Sequence, residues 1–313
     1  MLPYFDSATV HDRLPYPRLA DALHEAFAQG VRAPVRHQHT VPGPGGAEGT
    51  LLLMPAWWPG RETGVKLVHV CPGNERLGVP TVQAVYLLFD GPTGTPRAVL
   101  DGTALTLRRT AAASALAARF LARPESRVLT VIGAGALAPH LARAHACNRP
   151  LERILIWNRT AEKAARLAKQ LRALGLPAEP ASCRRTAVEA ADIVTCATTS
   201  TTPLVPGSWV RPGTHVDLVG AFRPDMRESD GELVARARVF VDTREGALEE
   251  AGDLLQAIAE GFCSAQHIRG DLYDLCAGAV KGRTGDDEIT LFKSVGSAVE
   301  DLVAAALVVA QGN

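Results

Sequence analysis

The sequence predicts an α/β protein in which a doubly wound, parallel-sheet domain is joined to a smaller, β-rich α+β domain. Two observations carry this prediction. From about residue 127 onward, short apolar runs alternate with helical segments, whereas the first third of the chain alternates β-rich runs with Pro and Gly clusters. Short apolar strands that alternate with helices are typical of a parallel sheet covered on both faces. The length of 313 residues also agrees with two domains of ordinary size.

The composition is that of an ordinary globular protein and excludes several other classes. Apolar residues make up 47% of the chain and charged residues 21%, which is enough to bury a core and excludes a disordered or fibrous protein. Lys+Arg and Asp+Glu both number 33, so we expect no nucleic-acid partner. The longest apolar run, residues 302–310, is about half of a membrane span, and no signal-peptide pattern begins the chain. We therefore expect a cytoplasmic protein without a membrane partner.

No metal site is expected from the cysteines and histidines. The six cysteines are scattered along the chain without a CxxC spacing. His37 and His39 alternate on a predicted strand and could together bind a metal ion. Two polar residues near the end of a strand are the simpler interpretation.

The first domain is predicted over residues 1–114. Helical spacing predicts a helix over residues 18–29, which ends at Gly30. Three strands separated by turn residues follow, over residues 49–55, 65–71 and 82–89. An alanine-rich helix over residues 110–121 leads towards the second domain.

The second domain is predicted over residues 115–294, and the C-terminal helix within residues 295–313 is expected to complete the first domain. The predicted strands of the second domain cover residues 127–132, 153–157, 192–197, 215–220, 239–242 and 289–292. The predicted helices cover residues 137–147 and 161–174, and the apolar C-terminal helix covers residues 297–309.

A glycine turn at the first strand-to-helix junction of the second domain predicts a dinucleotide site. Residues 133–138 read Gly-Ala-Gly-Ala-Leu-Ala, the GxGxxA form of the Rossmann fingerprint in its required context. Gly133 permits the tight turn, Gly135 lets the backbone approach a pyrophosphate, and Ala138 allows close packing of the helix on the strand. The helix N-terminus favours the anion, so Ala136 and Leu137 join the predicted cofactor-binding residues. A glycine-rich turn without a nucleotide is the alternative.

The end of the second strand favours NADPH over NADH, with NADH possible. An NAD site usually has Asp or Glu here, but this strand ends in Asn158-Arg159-Thr160. Arg159 can pair with a 2′-phosphate that a carboxylate would repel, and Asn158 and Thr160 can add neutral hydrogen bonds. Alternatively, Thr160 caps the next helix, with Glu162 and Lys163 in its first turn; both interpretations can hold together.

Several stretches outside this turn resemble the ornithine cyclodeaminase/mu-crystallin family, in the family's order from about residue 30 to the C-terminus. They are Met54-Pro55-Ala56, GVKLV at 64–68, RTAAASA at 109–115, WVRPGTH at 209–215, VGA at 219–221 with Arg223-Pro224, and FKSVG at 292–296. The run WNRT at 157–160 is most similar to the ketimine reductase branch. The resemblance implies a Rossmann domain that binds NAD(P)H, and a homodimer formed through the β-rich domain.

The resemblance further implies that Arg36, Lys66 and Arg109 hold the carboxylate of a small amino-acid-like substrate, with Lys66 and Arg109 as catalytic candidates. Bidentate arginine contacts would orient such an anion as well as hold it. Each residue also has an ordinary interpretation. Arg36 could be a surface residue, and Lys66 could be solvated on the face opposite Val65 and Leu67. Arg109 is predicted to open a helix, where a positive charge opposes the dipole unless an anion is near.

The chain departs from the cyclodeaminase pattern at Phe222. Cyclodeaminases of the family have an Asp just after the Val219-Gly220-Ala221 turn, and phenylalanine can neither accept nor donate a proton. Asp217 and Asp225 could substitute, although Asp217 is expected within the strand. The loss favours simple hydride delivery to a C=N bond, with Phe222 as an apolar wall for the substrate ring.

The resemblance therefore implies a reductase of cyclic ketimines, which would convert Δ1-pyrroline-2-carboxylate to L-proline and Δ1-piperideine-2-carboxylate to L-pipecolate. Lys66 or a bound water would supply the proton. Further family positions near cofactor or substrate fall on Thr81, Thr198, Val219, Ala221 and Ser294, and Arg109 is expected to contact the cofactor as well as the substrate. The alternatives are an ornithine cyclodeaminase, an amino-acid dehydrogenase of the same family and a non-catalytic NADPH-binding protein.

Overall fold

The computed structural model of the chain describes residues 1–43 and 48–310. Contacts divide the chain into two compact units, of which the first comprises Met1–Thr110 with the C-terminal segment from Ser297, and the second comprises Ala111–Gly296. The expected boundaries, after residues 114 and 294, lie a few residues from these. Among the described residues, no helix is long and apolar enough to cross a membrane.

The first unit contains a six-stranded sheet in the order β1-β6-β5-β4-β3-β2, antiparallel except for the parallel pair β1 and β6. Its strands are β1 (Tyr4–Phe5), β2 (His37–Pro42), β3 (Glu48–Trp57), β4 (Glu62–Val70), β5 (Val82–Asp90) and β6 (Pro96–Asp101). Its helices are α1 (Ser7–Arg13), α2 (Tyr16–Ala28) and α11 (Ala298–Ala310). Helix α11 packs against α2 and against β3, β4 and β5, which places an almost entirely apolar helix on one face of the sheet.

Alternation along β4 determines which side chains enter this core. Lys66 and Val68 are buried, whereas Val65 and Leu67 on the other face are half-buried. Lys66 is therefore directed into the interior by the strand itself, since successive side chains point to opposite faces.

The second unit contains an eight-stranded parallel sheet in the order β13-β12-β14-β11-β10-β7-β8-β9. Its strands are β7 (Val128–Ile132), β8 (Arg153–Trp157), β9 (Ala178–Pro180), β10 (Ile193–Cys196), β11 (His215–Leu218), β12 (Arg238–Val241), β13 (Ile268–Asp271) and β14 (Thr290–Lys293). Helix α3 covers Gly102–Leu121, and the helices that follow it are α4 (Ala138–Ala146), α5 (Ala161–Ala173), α6 (Arg184–Ala190), α7 (Gly231–Arg236), α8 (Arg244–Glu250), α9 (Gly252–Ala259) and α10 (Leu272–Cys276). The predicted α/β class with a parallel, doubly wound sheet is confirmed.

The start of helix α3 was predicted wrongly. The helix covers Gly102–Leu121, so it begins eight residues before the predicted start at Thr110. Asp101 accepts a hydrogen bond from the backbone N–H of Ala104 at 2.8 Å and thereby caps the first turn. Arg109 consequently lies within the helix and not at its positive end, so the dipole argument made for it does not apply.

Candidate functional site

The glycine turn of the second unit has the geometry that a dinucleotide requires. Gly133 follows β7 with a φ of 106°, and a Cβ there would meet the carbonyl oxygen of Ala197 at 2.9 Å. A Cβ on Gly135 would meet nothing within 4 Å, so its backbone is open to a ligand. Helix α4 begins at the buried Ala138 with Pro139 in its first turn, and its N-terminal N–H groups face the turn.

A cavity of about 610 Å³ lies beside this turn. Six of the residues predicted to bind the cofactor line it, namely Gly133, Gly135, Asn158, Arg159, Thr160 and Thr198. Ala136, Leu137, Val219 and Ala221 belong to the same unit but lie outside the lining, whereas Thr81 and Arg109 belong to the first unit. The roles assigned to these residues remain predictions.

Of the described residues that line the cavity, none is acidic, and three are basic: Arg159, Lys163 and Arg184. Thr160 stands at the N-cap position of α5, but its side chain makes no capping hydrogen bond. The side chain of Asn158 instead ties the loops together. Its Oδ1 accepts from the N–H of Ala134 at 3.1 Å, and its Nδ2 donates to the carbonyl of Thr160 at 3.0 Å.

Glu228 is a buried acid whose hydrogen bonds connect the loops that follow β10 and β11. Its Oε1 accepts from the backbone N–H and the hydroxyl of Thr198 at 2.6 and 2.8 Å, and its Oε2 accepts from the N–H of Gly220 at 2.8 Å. Burial raises the pKa of Glu228 to about 7, against the opposing effect of Lys293. Lys293 in turn pairs with the buried Asp253, with an Nζ–Oδ2 distance of 3.1 Å. This network was not predicted, because its members are far apart in the sequence.

We expect Glu228→Gln to weaken dinucleotide binding about tenfold. The side-chain amide nitrogen of the new glutamine would face an N–H donor of Thr198 or Gly220, and the displaced loop would include Thr198, which lines the cavity. Loss of hydrogen bonds to a charged group should also lower the free energy of unfolding by about 1.5–3 kcal/mol. Fluorescence titration and chemical denaturation measure the two effects. Glu232→Gln is the matched control because that exposed side chain makes only a loose pair with Arg236, at 3.7 Å. An unchanged Kd in Glu228→Gln would contradict the positioning role.

Asp217 cannot replace the acid that is missing at position 222. It is completely buried in β11 and accepts hydrogen bonds from the hydroxyls of Ser114 and Thr195 at 3.0 and 2.7 Å. Its second oxygen also lies 3.2 Å from Nε2 of His145. Burial alone would raise the pKa of Asp217, but the hydrogen bond and charge of His145 keep that pKa below its usual value.

Asp225 is no better placed to serve as the acid. It is exposed and forms a bidentate pair with Arg223, at 2.9 and 2.6 Å, and this pair lowers the pKa of its carboxyl group. Phe222 itself is 43% exposed. The loop after β11 therefore presents an apolar ring where the cyclodeaminase pattern has an acid.

The first unit brings together two of the predicted substrate residues, Lys66 and Arg109, around two buried acids. Lys66 Nζ lies 2.7 Å from Oδ2 of Asp301, and Arg109 donates from Nε to Oδ1 of Asp301 at 3.0 Å. Arg109 also donates from Nη1 to Glu300 at 2.6 Å. All four side chains are at most 5% exposed. Paired cations and anions satisfy one another here, as buried charges must.

The third predicted residue, Arg36, also acts electrostatically on Lys66. Burial and the positive charges of Arg109 and Arg36 together lower the pKa of Lys66 to about 8, against the opposing effect of Asp301. We call Arg36, Lys66, Arg109, Glu300 and Asp301 the charge cluster.

Glu300 and Asp301 were missed at the sequence level, although a signal was present. They are two adjacent acids in a helix that is otherwise built from Ala, Val and Leu. Charged residues are rarely buried unless they are paired, so an acid pair on an apolar helix predicts buried cations nearby.

Comparisons with known proteins show which family the chain belongs to. The profile of the ornithine cyclodeaminase/mu-crystallin family matches residues 6–312. A Δ1-pyrroline-2-carboxylate reductase of Paracoccus denitrificans is 42% identical over 282 residues, which cover 88% of this chain and 89% of the relative.

Two solved structures are similar to the chain over almost its whole length. A Δ1-pyrroline-2-carboxylate reductase of Thermococcus litoralis, in complex with NADH and L-proline, has a TM-score of 0.92 and 34% identity, covering 99% of this chain and 97% of that one. An archaeal alanine dehydrogenase dimer with bound NAD has a TM-score of 0.90 and 29% identity, covering 99% of this chain and 95% of that one.

Proposed function

The chain belongs to the ornithine cyclodeaminase/mu-crystallin family, and we propose that it is an NAD(P)H-dependent reductase of cyclic ketimines. Its substrates would be Δ1-pyrroline-2-carboxylate, reduced to L-proline, and Δ1-piperideine-2-carboxylate, reduced to L-pipecolate. The observation that carries the proposal is the charge cluster, in which the buried cations Lys66 and Arg109 share the carboxylate of Asp301 and the charge of Arg36 acts on Lys66, so that basic side chains suited to a single carboxylate lie together. The named relatives from Paracoccus and Thermococcus support the same substrate class.

Arg36, Lys66 and Arg109 would hold the substrate carboxylate. Glu300 and Asp301 fix the Arg109 guanidinium from one side, with Asp301 also holding the Lys66 ammonium, so both groups are oriented before substrate arrives. Such preorganisation lowers the conformational-entropy cost of binding, because the long side chains are already ordered.

Lys66 would serve as the proton source. Bound NAD(P)H supplies a hydride for the imine carbon, and the imine nitrogen must carry a proton for that carbon to be electrophilic. An ammonium group whose burial lowers its pKa to about 8 can give up a proton near neutral pH far more readily than an ordinary lysine. Asp301, 2.7 Å from Nζ, would hold the group in place.

Phe222 favours reduction over cyclodeamination. Loss of ammonia and ring closure need an acid–base group, and the nearby Asp217 and Asp225 are both engaged elsewhere. Reduction of a preformed C=N bond needs no such carboxylate. The aromatic ring would instead supply an apolar wall for the methylene groups of the substrate.

NADPH is the proposed cofactor, although the Thermococcus reductase was solved with NADH. Support comes from the cavity, whose described lining contains three basic residues and no acid beside the end of β8. These cations could pair with the 2′-phosphate of NADPH, whereas the 2′-hydroxyl of NADH would lack the carboxylate that usually accepts its hydrogen bond.

We also propose a homodimer formed through the β-rich unit. The face of the sheet opposite Lys66 carries half-buried or exposed apolar side chains on neighbouring strands, such as Leu53, Leu67 and Val85. A contiguous apolar face of this kind marks a protein interface, and the similar alanine dehydrogenase is a dimer. Light scattering of the eluted protein should give twice the mass of the chain, whereas a monomer would contradict this proposal.

The proposed activity is tested by following absorbance at 340 nm with each cyclic imine and each reduced dinucleotide in turn. We expect oxidation of NADPH that depends on the imine. Ornithine with catalytic NAD should release no ammonia, and pyruvate with ammonia and NADH should give little turnover. Ammonia release from ornithine would contradict the proposal, and so would the absence of turnover with both imines.

A further inference from the structure

Arg184 is the most unusual of the three cations that line the dinucleotide cavity. Its guanidinium carbon lies 5.0 Å from the ring centre of Trp157 and 5.3 Å from that of Trp209. Its Nε is buried and has no hydrogen-bond partner among the described residues. No described acid forms an ion pair with this side chain, so two aromatic rings hold a cation that no anion neutralises.

The next residue, Arg185, shows what an ordinary arginine does in the same helix. Its Nε donates to Glu189, one turn further along α6, at 2.7 Å, and its side chain is 63% exposed. Indole faces attract a guanidinium but leave its N–H groups unsatisfied, and a partly desolvated cation without an acceptor is costly. The arrangement around Arg184 therefore suits a side chain that binds an anionic ligand.

The position of Arg184 identifies the part of the ligand that it would meet. Trp157 is the last residue of β8, and the residues that follow it, Asn158 to Thr160, occupy the place where Rossmann domains contact the adenosine ribose. Arg184 begins α6 just after β9, which pairs in parallel with β8, so both segments leave the sheet at the same edge. Arg159 and Lys163 line the same cavity from the loop after β8 and the first turn of α5.

We infer that Arg184, clamped between Trp157 and Trp209, is the principal ligand of the 2′-phosphate of NADP(H) and the main determinant of NADPH selectivity in this chain. This inference rests on the proposed function only in that the cavity binds a nicotinamide dinucleotide. The guanidinium would keep its faces on the indoles and present its edge N–H groups to the phosphate, as a bidentate contact requires. Arg159 and Lys163 would add charge around the same phosphate.

The test compares direct binding of NADPH and NADH, measured by fluorescence titration of the purified full-length protein. In Arg184→Met the apolar side chain can still fill the space between the indoles, but the charge is lost. We expect the Kd for NADPH to rise about 10- to 100-fold and the Kd for NADH to change less than about twofold. The probe pair 2′,5′-ADP and 5′-AMP should show the same contrast, because these molecules differ only in the 2′-phosphate.

Arg185→Met is the matched control, and both Kd values should stay at the wild-type level in this variant. Equal weakening of NADPH and NADH by Arg184→Met would overturn the inference, since Arg184 would then act on the adenine or on the fold. Unchanged NADPH binding would overturn it as well. These binding results do not depend on catalysis: a protein that shows the expected selectivity but reduces no imine would contradict the proposed reductase activity and leave the phosphate site standing.

Discussion

Replacing Arg109 by alanine is expected to lower kcat/KM for Δ1-pyrroline-2-carboxylate by about a thousandfold or more. The side chain would no longer orient the substrate carboxylate, and misplacement of a reacting group is costly in rate. The same change leaves Glu300 and Asp301 with an uncompensated buried charge, so we also expect the free energy of unfolding to fall by about 3–5 kcal/mol. Turnover is measured at 340 nm, stability by denaturant titration, and NADPH affinity by fluorescence.

A second variant separates the loss of chemistry from the loss of folding. Arg109→Ala with Glu300→Gln removes one cation and one anion together, so much of the stability should return while turnover stays low. Arg108→Ala is the matched control: Arg108 is also buried in α3, but it contacts the carbonyl of His11 and the ring of Tyr16. That variant should lose stability and keep its turnover per folded molecule. A double variant with kcat/KM within tenfold of the wild type would contradict the role of Arg109.

Replacing Lys66 by methionine is expected to lower kcat by about 10²- to 10⁴-fold, the usual contribution of a positioned general acid. Methionine can fill the apolar part of the space but carries no proton to donate. Asp301 keeps its hydrogen bond from Arg109, so folding should suffer less than in Arg109→Ala. NADPH affinity should stay at the wild-type value. A variant that loses substrate affinity alone, with kcat intact, would show that Lys66 binds the substrate without protonating it.

The pH dependence distinguishes titration of Lys66 from unfolding. With a pKa lowered by burial to about 8, the ammonium form that donates the proton is lost above pH 8, and kcat of the wild type should fall there. The unfolded chain would hold that proton up to about pH 10.4. Between these values the unfolded state binds more protons, so the contribution of Lys66 to stability rises with pH while activity falls. Lys66→Met should lack both trends, and a wild-type rate that is flat from pH 7 to 10 would contradict the assignment.

Local patterns predicted the parts of the molecule that depend on neighbours in sequence. The turn at Gly133 was predictable because a strand, two glycines and a helix follow one another without interruption. Most strands of the parallel sheet were predictable from their apolar runs, but the edge strands β9 and β13 were missed because they are short and partly exposed. The first turns of α3 were missed because Asp101-Gly102 is equally typical of a turn.

Long-range contacts explain what the sequence did not predict at the sites. Lys66 pairs with Asp301, which lies more than two hundred residues later in the sequence. Arg184, at the start of α6, lies against Trp157 at the end of β8 and against Trp209, which belongs to a different segment of the chain. Periodicity can place Lys66 on one face of β4, but it cannot say which acid faces it from α11. The two acids in that apolar helix indicate that buried cations lie nearby, but they do not identify the residues that supply those cations.

The most direct test of the central claim is to supply NADPH dideuterated at C4 of the nicotinamide, together with Δ1-pyrroline-2-carboxylate, and to locate the deuterium in the product. If a carboxylate-bound ketimine is reduced at its imine carbon, L-proline should carry one deuterium at C2 for each NADPH oxidised. Proline without deuterium at C2, or no proline at all while NADPH is bound, would contradict the account.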